Sequence, residues 1–444
     1  MKVTLFDVIS PKKGCVNKDL AGGFGTRTHI GTDWRARLLE YAKKHSVRIP
    51  QLTTAYIAAI FKNAGWDVEL KTVKTPYGKI DVLDSDLILI QASIVDYKNE
   101  INAAKSLKKN PDSLVGFYGA FASVKPEIFS EHCDFLIKGE PEKAFLDIAA
   151  GKTPMSLIES PYLTGEELNN LPFPHWDIFP INEFSYKPSL LKQPVLTIIS
   201  SRGCPQSCGF YCPYVNLQGN FWRARSVKNV IAEIEYLIAN YKIKALDFRD
   251  PTFTMNMVRA AEIAQKMIDK KFNLEWSCET RLDLLDEKLL DLMFESGLRN
   301  INVGVESADP EVLKNAKRKP ITIEHQEKII NYCKKKGIRV AAFYILGLES
   351  DTKKTILNTV NYAKKLNTNV AQFTISTPYP GNGFYEQVKN KIYENDWENF
   401  DSYTPVMKHS NLSREELIKL KEKAWSEYYF RPKWLWQYFK NNVI

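Results

Sequence analysis

Three cysteines, Cys204, Cys208 and Cys212, fall within nine residues of this 444-residue chain, and the other four cysteines are scattered. An odd number of cysteines with this distribution does not suit a disulfide framework, whereas a local metal site in a reducing compartment does. Three thiolates on one short loop can ligate three irons of a [4Fe–4S] cluster and leave the fourth iron open to a small molecule. A zinc knuckle is the alternative, but zinc sites usually need further Cys or His ligands, and no histidine lies between His175 and His325.

The segment that carries these cysteines, SRGCPQSCGFYC (201–212), resembles the cluster loop of the radical S-adenosylmethionine (SAM) superfamily. The usual signature of that family is Cys-x3-Cys-x2-Cys with an aromatic residue before the last cysteine. Here the second gap has three residues, and Tyr211 takes the aromatic position. The resemblance implies that SAM chelates the open iron and that its reductive cleavage yields a 5′-deoxyadenosyl radical. The cofactors then carry the chemistry, while the protein supplies position and electrostatics.

Further matches to this family lie downstream, at the ends of predicted strands. Glu279 looks like the third-strand acid that reaches the SAM ammonium group, and Glu306 takes the fourth-strand position that holds the ribose hydroxyls. Arg318 suits the family's basic residue for the methionine carboxylate, since a guanidinium group grips a carboxylate with two hydrogen bonds; Lys317 is the nearby alternative. Gly347 resembles the fifth-strand glycine, where a missing side chain lets the backbone approach adenine.

One segment at the end of the second predicted strand points to a branch of the family. The sequence DFRDPTFT (247–254) lacks the Gly-Gly-Glu of many members and resembles the acidic version found in the cobalamin-associated branch. That resemblance places Asp250 and Thr252 near the SAM site.

The first 150 residues also resemble the cobalamin-binding domains that precede radical SAM barrels in this branch. The matching segments are PQLTTAY (50–56), GFYGA (116–120) and IKGEPE (137–142). At predicted strand ends, Ser93, Gly119 and Gly139 would let a nucleotide tail lie close to the backbone. No Asp-x-His-x-x-Gly follows the first strand, so cobalt would lack a protein nitrogen below it. A domain that has lost cobalamin is the alternative.

The elements that must position these residues form two α/β series. Residues 1–150 alternate apolar runs with helical patterns, which predicts a doubly wound, flavodoxin-like parallel sheet. A Pro-rich linker covers 151–193, and six strand–helix steps over 194–385 predict a partial (β/α)6 radical SAM barrel with its motifs at the C-terminal strand ends. A helical extension follows at 386–444. The predicted strands are 3–10, 86–93, 114–121 and 134–140, then 195–201, 245–250, 274–280, 300–307, 339–347 and 370–379.

Two segments fall outside this alternation. The stretch from Pro11 to about Arg48 is longer than the usual strand-to-helix link and holds GGFGT (22–26), so we expect either a functional Gly-rich loop or simple disorder. The tail carries a helical pattern at 413–429 and the aromatic segment RPKWLWQYFK (431–440). Its tryptophans could pack onto the barrel, anchor at a membrane surface or line a substrate pocket.

The composition is that of a globular protein, with 44% hydrophobic and 25% charged residues. The chain has no long apolar run that predicts a membrane span, and its start does not resemble a signal peptide, so we expect a cytoplasmic protein. The net charge of +9 is spread over short clusters, which are typical of solvated helix faces rather than a nucleic-acid site.

These features predict a cobalamin-dependent radical SAM C-methyltransferase that acts on an unactivated carbon of a small molecule or lipid. The resemblance implies that a substrate radical takes methyl from methylcobalamin, and that flavodoxin or ferredoxin refills the cluster with electrons. A rival is radical cyclisation, rearrangement or oxidation without methyl transfer, which the product mass would separate. A third hypothesis is a cobalamin- or cluster-binding sensor without turnover. Fold alone cannot identify the substrate.

Overall fold

The computed structural model describes residues 1–9, 17–73, 80 and 83–442. The end of the first predicted strand, the start of the Gly-rich stretch at Pro11 and the side chain of Cys15 lie outside the described residues. In the part of the chain that is described, no helix is both long and apolar enough to cross a membrane.

The first domain is built on a six-stranded parallel sheet, which confirms the predicted doubly wound, flavodoxin-like fold. Its strands run in the order β2-β1-β3-β4-β5-β6. The apolar run at the centre is buried along its whole length because helices cover both faces of the sheet. The strands are β1 (Lys2–Val8), β2 (Asp67–Val73), β3 (Leu87–Gln91), β4 (Leu114–Tyr118), β5 (Phe135–Gly139) and β6 (Leu157–Ser160).

Alternate residues of these strands feed two separate cores. Val3 and Leu5 of β1 face one core, and Phe6 and Val8 face the other, as the two-residue period of a strand requires. The helices of this region are α1 (Trp34–Ser46), α2 (Leu52–Asn63), α3 (Tyr97–Leu107), α4 (Ala120–Val124) and α5 (Glu142–Ala149).

The second domain is a six-stranded parallel sheet in the order β12-β11-β10-β9-β8-β7, which confirms the predicted partial barrel. Each strand follows its neighbour in the chain through a helical connection, so all carboxyl ends meet on one rim. The strands are β7 (Val195–Ile198), β8 (Ala245–Phe248), β9 (Glu275–Thr280), β10 (Leu298–Glu306), β11 (Arg339–Leu346) and β12 (Val370–Ile375).

Helices surround this sheet and continue into the C-terminal extension. Within the extension α15 packs along β12, where the Trp425 indole donates to the Phe373 carbonyl at 2.9 Å. The helices are α6 (Gly165–Asn170), α7 (Tyr214–Gln218), α8 (Val227–Tyr241), α9 (Met257–Asp269), α10 (Glu287–Glu295), α11 (Pro310–Asn315), α12 (Ile323–Lys336), α13 (Lys353–Leu366), α14 (Gly383–Val388), α15 (Arg414–Tyr429) and α16 (Pro432–Asn442).

Three elements differ from the sequence-based expectation. The stretch expected to be a loop up to Arg48 contains helix α1, and strands β2 and β6 were not predicted. Helix α1 begins where the Asp33 side chain accepts a hydrogen bond from the Ala36 amide at 2.7 Å. Its large side chains Trp34, Leu38 and Tyr41 face outward, whereas Ala36 and Leu39 pack against the core. Strand β6 lies in the predicted linker and is the half-exposed edge of the first sheet.

The two domains are joined by buried ion pairs. Both guanidinium NH2 groups of Arg223 reach the Glu140 carboxylate, at 2.8 and 2.9 Å, and Arg202 reaches Glu142 at 2.6 Å. All four side chains are almost fully shielded from solvent. Glu140 and Glu142 follow β5 of the first domain, whereas Arg202 comes two residues before Cys204. The ion pairs therefore fasten the cysteine loop to the first domain.

We predict that Glu140→Gln lowers the free energy of unfolding by about 3–5 kcal/mol, because it leaves two buried guanidinium groups short of a counter-charge. The matched control is Glu159→Gln, whose partner Lys138 lies at an exposed site and whose loss should cost less than about 1 kcal/mol. Urea unfolding followed by tryptophan fluorescence measures both. Equal midpoints for the two variants would contradict the role given to Glu140.

Candidate active site

The three cysteines lie on a loop that starts just after β7. Gly203 has a φ of +77°, and a Cβ there would overlap the carbonyl group of Phe221. Cys208 sits in a single 3-10 turn (Ser207–Phe210), and the Cys212 amide donates to the Cys208 carbonyl at 3.0 Å. All three cysteines are partly exposed. The loop thus doubles back on itself and turns its thiols toward the rim of the barrel.

The thiols of this loop suit a cluster better than a single ion. Burial raises the pKa of Cys208 and of Cys212, although Arg318 lowers that of Cys208, so thiolates there need cationic partners such as irons. Among the described residues, no three His, Cys, Asp or Glu side chains, those of the three loop cysteines included, are grouped so that they could hold one metal ion. Cys133 and Cys333 are buried in other parts of the fold.

Glu306 and Arg318 come together at the end of β10, as the sequence predicts. Their charged groups lie 3.4 Å apart, and Arg318 also donates to the Gly304 carbonyl at 2.6 Å. A side chain at Gly304 would overlap the Glu306 carboxylate, so the glycine is required for this arrangement. Glu306 itself has a φ of +65°, a conformation that costs energy for a residue other than glycine. The backbone is therefore strained where the carboxylate is held.

Arg318, rather than Lys317, occupies the charged site. Arg318 is buried, and burial alone would lower the pKa of its guanidinium group. The neighbouring Tyr211, Glu306 and Cys208 raise this pKa and outweigh the effect of burial. Lys317 is exposed, and its ammonium group lies 4.0 Å from the centre of the Phe210 ring. The guanidinium group thus lies beside the cluster loop, while the lysine covers the outer side of that loop.

Glu279 lies at the end of β9, and two side chains hold its carboxylate. Arg249 donates to one oxygen at 3.1 Å, and the Tyr214 hydroxyl donates to the other at 3.3 Å. Sequence reasoning missed both partners. Arg249 belongs to the segment 247–254 and comes directly after β8. Its position at a strand end could have indicated that it reaches the rim. Tyr214 comes two residues after Cys212 and links Glu279 to the cluster loop.

Asp250 and Thr252 lie on the same rim, but their side chains are engaged within the protein. One Asp250 oxygen accepts from the Ser200 amide, and the other accepts from the hydroxyls of Ser200 and Ser201, at 2.5–2.7 Å. The Thr252 hydroxyl lies 3.7 Å from the Cys204 sulfur. Asp250 therefore positions the turn before the cysteines, and its predicted contact with SAM stays a prediction.

Tyr211 and Gly347 flank the same region. The Tyr211 carbonyl accepts from the Asn382 side chain at 3.1 Å. Gly347 has a φ of +77°, and its amide donates to Asp351 at 3.0 Å. The position of its missing side chain is closed by Leu417 of α15. In the predicted contact with adenine, the Gly347 backbone would therefore face the ligand on the side away from Leu417.

The residues predicted to contact the cobalamin tail lie at the carboxyl edge of the first sheet. Ser93 and Gly139 already form hydrogen bonds with other residues of the protein. The Ser93 amide and hydroxyl both donate to the buried Glu100 carboxylate, at 2.9 and 2.7 Å. The Gly139 amide already donates its hydrogen bond to the Ser123 hydroxyl at 3.0 Å, so it has none left for a ligand. Gly119 has a φ of +113° and begins α4.

Residues 17–30, here called the N-terminal segment, cover this edge. Lys18 is buried, with its ammonium group 2.9 Å from Glu100 and 3.3 Å from Asp7. Burial opposes its charge, but the two carboxylates outweigh this effect and raise the pKa of Lys18. Phe24 is also fully buried. The segment is therefore anchored on the sheet by a charged group and an aromatic ring.

The same segment reaches the cluster loop and the C-terminal extension. A Cβ at Gly22 would lie 2.6 Å from the backbone of Pro213 and Tyr214, so only glycine fits there. Further along, the Lys421 ammonium group of α15 donates to the His29 carbonyl at 2.8 Å. The N-terminal segment is thus the element through which the first domain, the cluster loop and the tail are in contact.

The two halves of the predicted cofactor site fit their ligands to different degrees. At the barrel rim, three thiols, two carboxylates and a buried guanidinium group suit a cluster and the charged groups of SAM. At the carboxyl edge of the first sheet, Ser93 and Gly139 donate hydrogen bonds within the protein, and the N-terminal segment covers this edge. These residues do not present an open cradle for cobalamin.

A flavodoxin-like domain joined to an open parallel barrel with a three-cysteine loop defines a cluster-dependent α/β enzyme. The model of the radical SAM superfamily matches residues 198–363. An uncharacterised methyltransferase of Pyrococcus horikoshii is 30% identical over 376 residues, covering 80% of this chain and 81% of the relative. The chain belongs to the radical SAM superfamily.

Two further comparisons agree with this placement. The anaerobic magnesium-protoporphyrin IX monomethyl ester cyclase of Rubrivivax gelatinosus is 27% identical over 411 residues, covering 83% of this chain and 72% of the cyclase. A similar solved structure is the radical SAM methyltransferase TsrM of Kitasatospora setae, with cobalamin and a [4Fe–4S] cluster bound. Its TM-score is 0.64 at 15% identity, and the match covers 88% of this chain and 75% of the TsrM chain. At that identity the likeness shows a shared fold.

We predict that Cys204→Ala, Cys208→Ala and Cys212→Ala each abolish cluster assembly, because the loss of one thiolate leaves an iron without its protein ligand. Cys133→Ala and Cys333→Ala are the matched controls, since both sit in apolar surroundings away from the rim. Iron and sulfide analysis of anaerobically reconstituted proteins measures the outcome. Full iron content in the Cys208 variant would refute the assignment.

We also predict that Glu306→Gln and Arg318→Ala keep the cluster absorbance but bind SAM about tenfold to a hundredfold more weakly. The physical reason is the loss of one charged hydrogen bond at a buried site, about 1.5–3 kcal/mol. Lys317→Ala is the control and should bind SAM normally, because its ammonium group is exposed. Equilibrium binding of SAM to anaerobic protein with the cluster in its oxidised, resting state decides this, because the reduced cluster would cleave SAM; a loss confined to the Lys317 variant would contradict the geometry.

Proposed function

We propose that this enzyme is a cobalamin-dependent radical SAM C-methyltransferase whose substrate is a small molecule or lipid with an unactivated carbon. The observation that carries the radical SAM part of the proposal is the set of charged residues at the rim. Glu279 lies at the end of β9 and Glu306 ends the next strand, β10. Arg318 comes after α11 and pairs with Glu306 beside the three-cysteine loop, which itself contacts the first domain. The methyltransferase names of the Pyrococcus relative and of TsrM support the same class.

In this proposal the rim residues have separate tasks. Cys204, Cys208 and Cys212 hold the cluster, which with bound SAM supplies the 5′-deoxyadenosyl radical. Arg318 is aimed at the methionine carboxylate and Glu306 at the ribose. Because these two side chains already pair with each other, the site has little charge to reorganise when SAM enters.

Glu279 is assigned to the SAM ammonium group. Its carboxylate forms an ion pair with Arg249 at 3.1 Å, which holds it at the rim. The Tyr214 hydroxyl fixes its rotamer from the side of the cluster loop. A shift of the loop would therefore move Glu279 as well, which couples cluster binding to SAM binding.

Two observations support cobalamin as a cofactor: the flavodoxin-like fold of the first domain and the likeness to TsrM, which was solved with cobalamin. The N-terminal segment now lies on the sheet edge, so the cofactor must displace this segment or bind against its outer side. Without an Asp-x-His-x-x-Gly motif, bound cobalamin should show the spectrum of its base-off form. We further propose a cytoplasmic setting and a reduced flavodoxin or ferredoxin as electron donor, since the cluster has to be refilled with electrons.

A radical cyclisation without methyl transfer is the second candidate, and the likeness to the Rubrivivax cyclase favours it. Both candidates share the cluster, SAM and the rim residues, so the geometry of the rim does not separate them. They differ in the mass of the product, because only methyl transfer adds a methyl group to the substrate.

We predict that the anaerobically reconstituted enzyme, with SAM carrying a trideuterated methyl group and a metabolite and lipid extract, forms a product heavier by one labelled methyl group. Mass spectrometry detects the product, and the Cys208→Ala protein is the control. Omission of hydroxocobalamin should abolish the labelled product but leave 5′-deoxyadenosine formation. A product without label would favour cyclisation, and absence of 5′-deoxyadenosine would favour a sensor.

A further inference from the structure

Helix α1 carries an apolar stripe on its outer side. Trp34, Leu38 and Tyr41 are 66%, 51% and 63% exposed, although their spacing of four and three residues puts them on one helix face. Ala36 is the buried residue of this helix. An amphipathic helix in a globular protein usually turns its apolar stripe inward. Here the stripe points to solvent, which requires an explanation outside the isolated chain.

The position of α1 places this stripe at the open side of the barrel. The Lys43 ammonium group donates to the Gln372 side chain of β12 at 3.3 Å. Directly after α1, Val47–Arg48 pairs with Ser185–Tyr186, in the segment that leads into β7. Strands β12 and β7 are the two edges of the sheet. Helix α1 therefore spans the gap between the edges of the partial barrel.

The C-terminal helix adds a second set of exposed aromatic residues beside the first. The Trp34 and Phe430 rings lie 5.6 Å apart, and α16 starts two residues later. Within α16, Trp434 faces inward and donates to the Asn369 carbonyl at 3.2 Å. Trp436 is 67% exposed. The tail thus packs onto the barrel through one tryptophan and presents another to solvent, together with Leu435 and Tyr438.

These two helices also concentrate the positive charge of the protein. Residues 33–48 and 431–442 contain eight lysines and arginines and two acidic residues, a net +6 out of +9 for the chain. Of the basic residues, Arg48 pairs with Glu183, and Lys43 and Arg431 donate hydrogen bonds to the barrel. The Arg35 guanidinium group lies 5.3 Å from the centre of the Trp34 ring, so charge and aromatic surface are interleaved. The basic residues are Arg35, Arg37, Lys43, Lys44, Arg48, Arg431, Lys433 and Lys440.

We propose that this surface, formed by α1 and α16 and here called the aromatic–basic face, docks onto a bilayer that contains anionic lipids. Tryptophan and tyrosine favour the boundary between headgroups and acyl chains, and each nearby Lys or Arg adds attraction to anionic lipid. A second copy of the chain fits less well, because two such faces would repel each other. No described helix could span the bilayer, so the contact would be peripheral.

The proposal has a consequence for the substrate, which rests on the proposed function. Docking would hold the enzyme at the lipid surface, with α1 lying between the bilayer and the gap between β7 and β12. A substrate with a long apolar chain would then meet the enzyme at the membrane and enter the barrel past α1. Binding to the bilayer itself does not depend on catalysis, so the two ideas can fail separately.

The test is co-sedimentation of the reconstituted full-length protein with vesicles of phosphatidylcholine, either alone or with about 30% phosphatidylserine, a fraction that gives an anionic surface. We expect binding to the anionic vesicles, weakened at about 0.5 M NaCl because salt screens the charges. Combined Trp34→Ser, Leu38→Ser and Tyr41→Ser should weaken binding about tenfold or more. Met155→Ser with Val258→Ser is the matched control, since both side chains are highly exposed elsewhere.

A set of charge variants separates the electrostatic contribution to vesicle binding from that of the aromatic side chains. Arg37→Gln, Lys44→Gln and Lys433→Gln together should also weaken binding about tenfold or more, whereas Lys335→Gln, Lys353→Gln and Lys354→Gln should not. All six side chains are exposed, so circular dichroism should show unchanged folding. The proposal is overturned if wild-type protein ignores anionic vesicles at low salt, if both charge variants lose binding equally, or if sedimentation shows a dimer that the Trp34 variant dissolves.

Discussion

The bidentate pair of Glu140 and Arg223 is the interaction on which the active-site rim depends. It takes two charged groups out of water, which is costly unless the geometry is nearly complete, and here both guanidinium NH2 groups and both carboxylate oxygens are used. Arg202 adds a second contact beside the cysteines. The loop that holds the cluster is therefore supported from the first domain, and the barrel alone does not determine its position.

The same principle governs the rim itself, where charged side chains are paired before any ligand is present. Asp250 holds the turn ahead of the cysteines, Glu279 shares its charge with Arg249, and Glu306 rests against Arg318. Buried groups arranged in this way cannot relax freely, so the rim is preorganised for a zwitterionic ligand. The strained backbone at Glu306 is part of this cost, since it is stabilised only by its surroundings.

Much of this arrangement could be predicted from the sequence, because both sheets are made of buried parallel strands whose apolar runs are unmistakable and whose ends carry the motifs. The two parallel sheets and the position of Glu306 at a strand end followed from that regularity, whereas the ion pair between Glu306 and Arg318 did not. What could not be predicted depends on contacts between distant segments. Helix α1 was missed although Trp34, Leu38 and Tyr41 have helical spacing, because the Gly-rich stretch that precedes it has no regular period. The engagement of Ser93 with Glu100 was missed because Lys18, which pairs with that carboxylate, comes from a segment with no periodic pattern.

The contact between His29 and Lys421 joins residues that are 392 positions apart in the chain. During synthesis, the first domain can fold long before α15 leaves the ribosome, since domains generally fold as units from the N-terminus. The N-terminal segment, however, cannot complete its contacts until the last helices have formed, and contacts of such long range form slowly. The newly made enzyme would therefore pass through a period in which the segment is anchored at Lys18 on the first sheet while its far end at His29 is not yet held by α15.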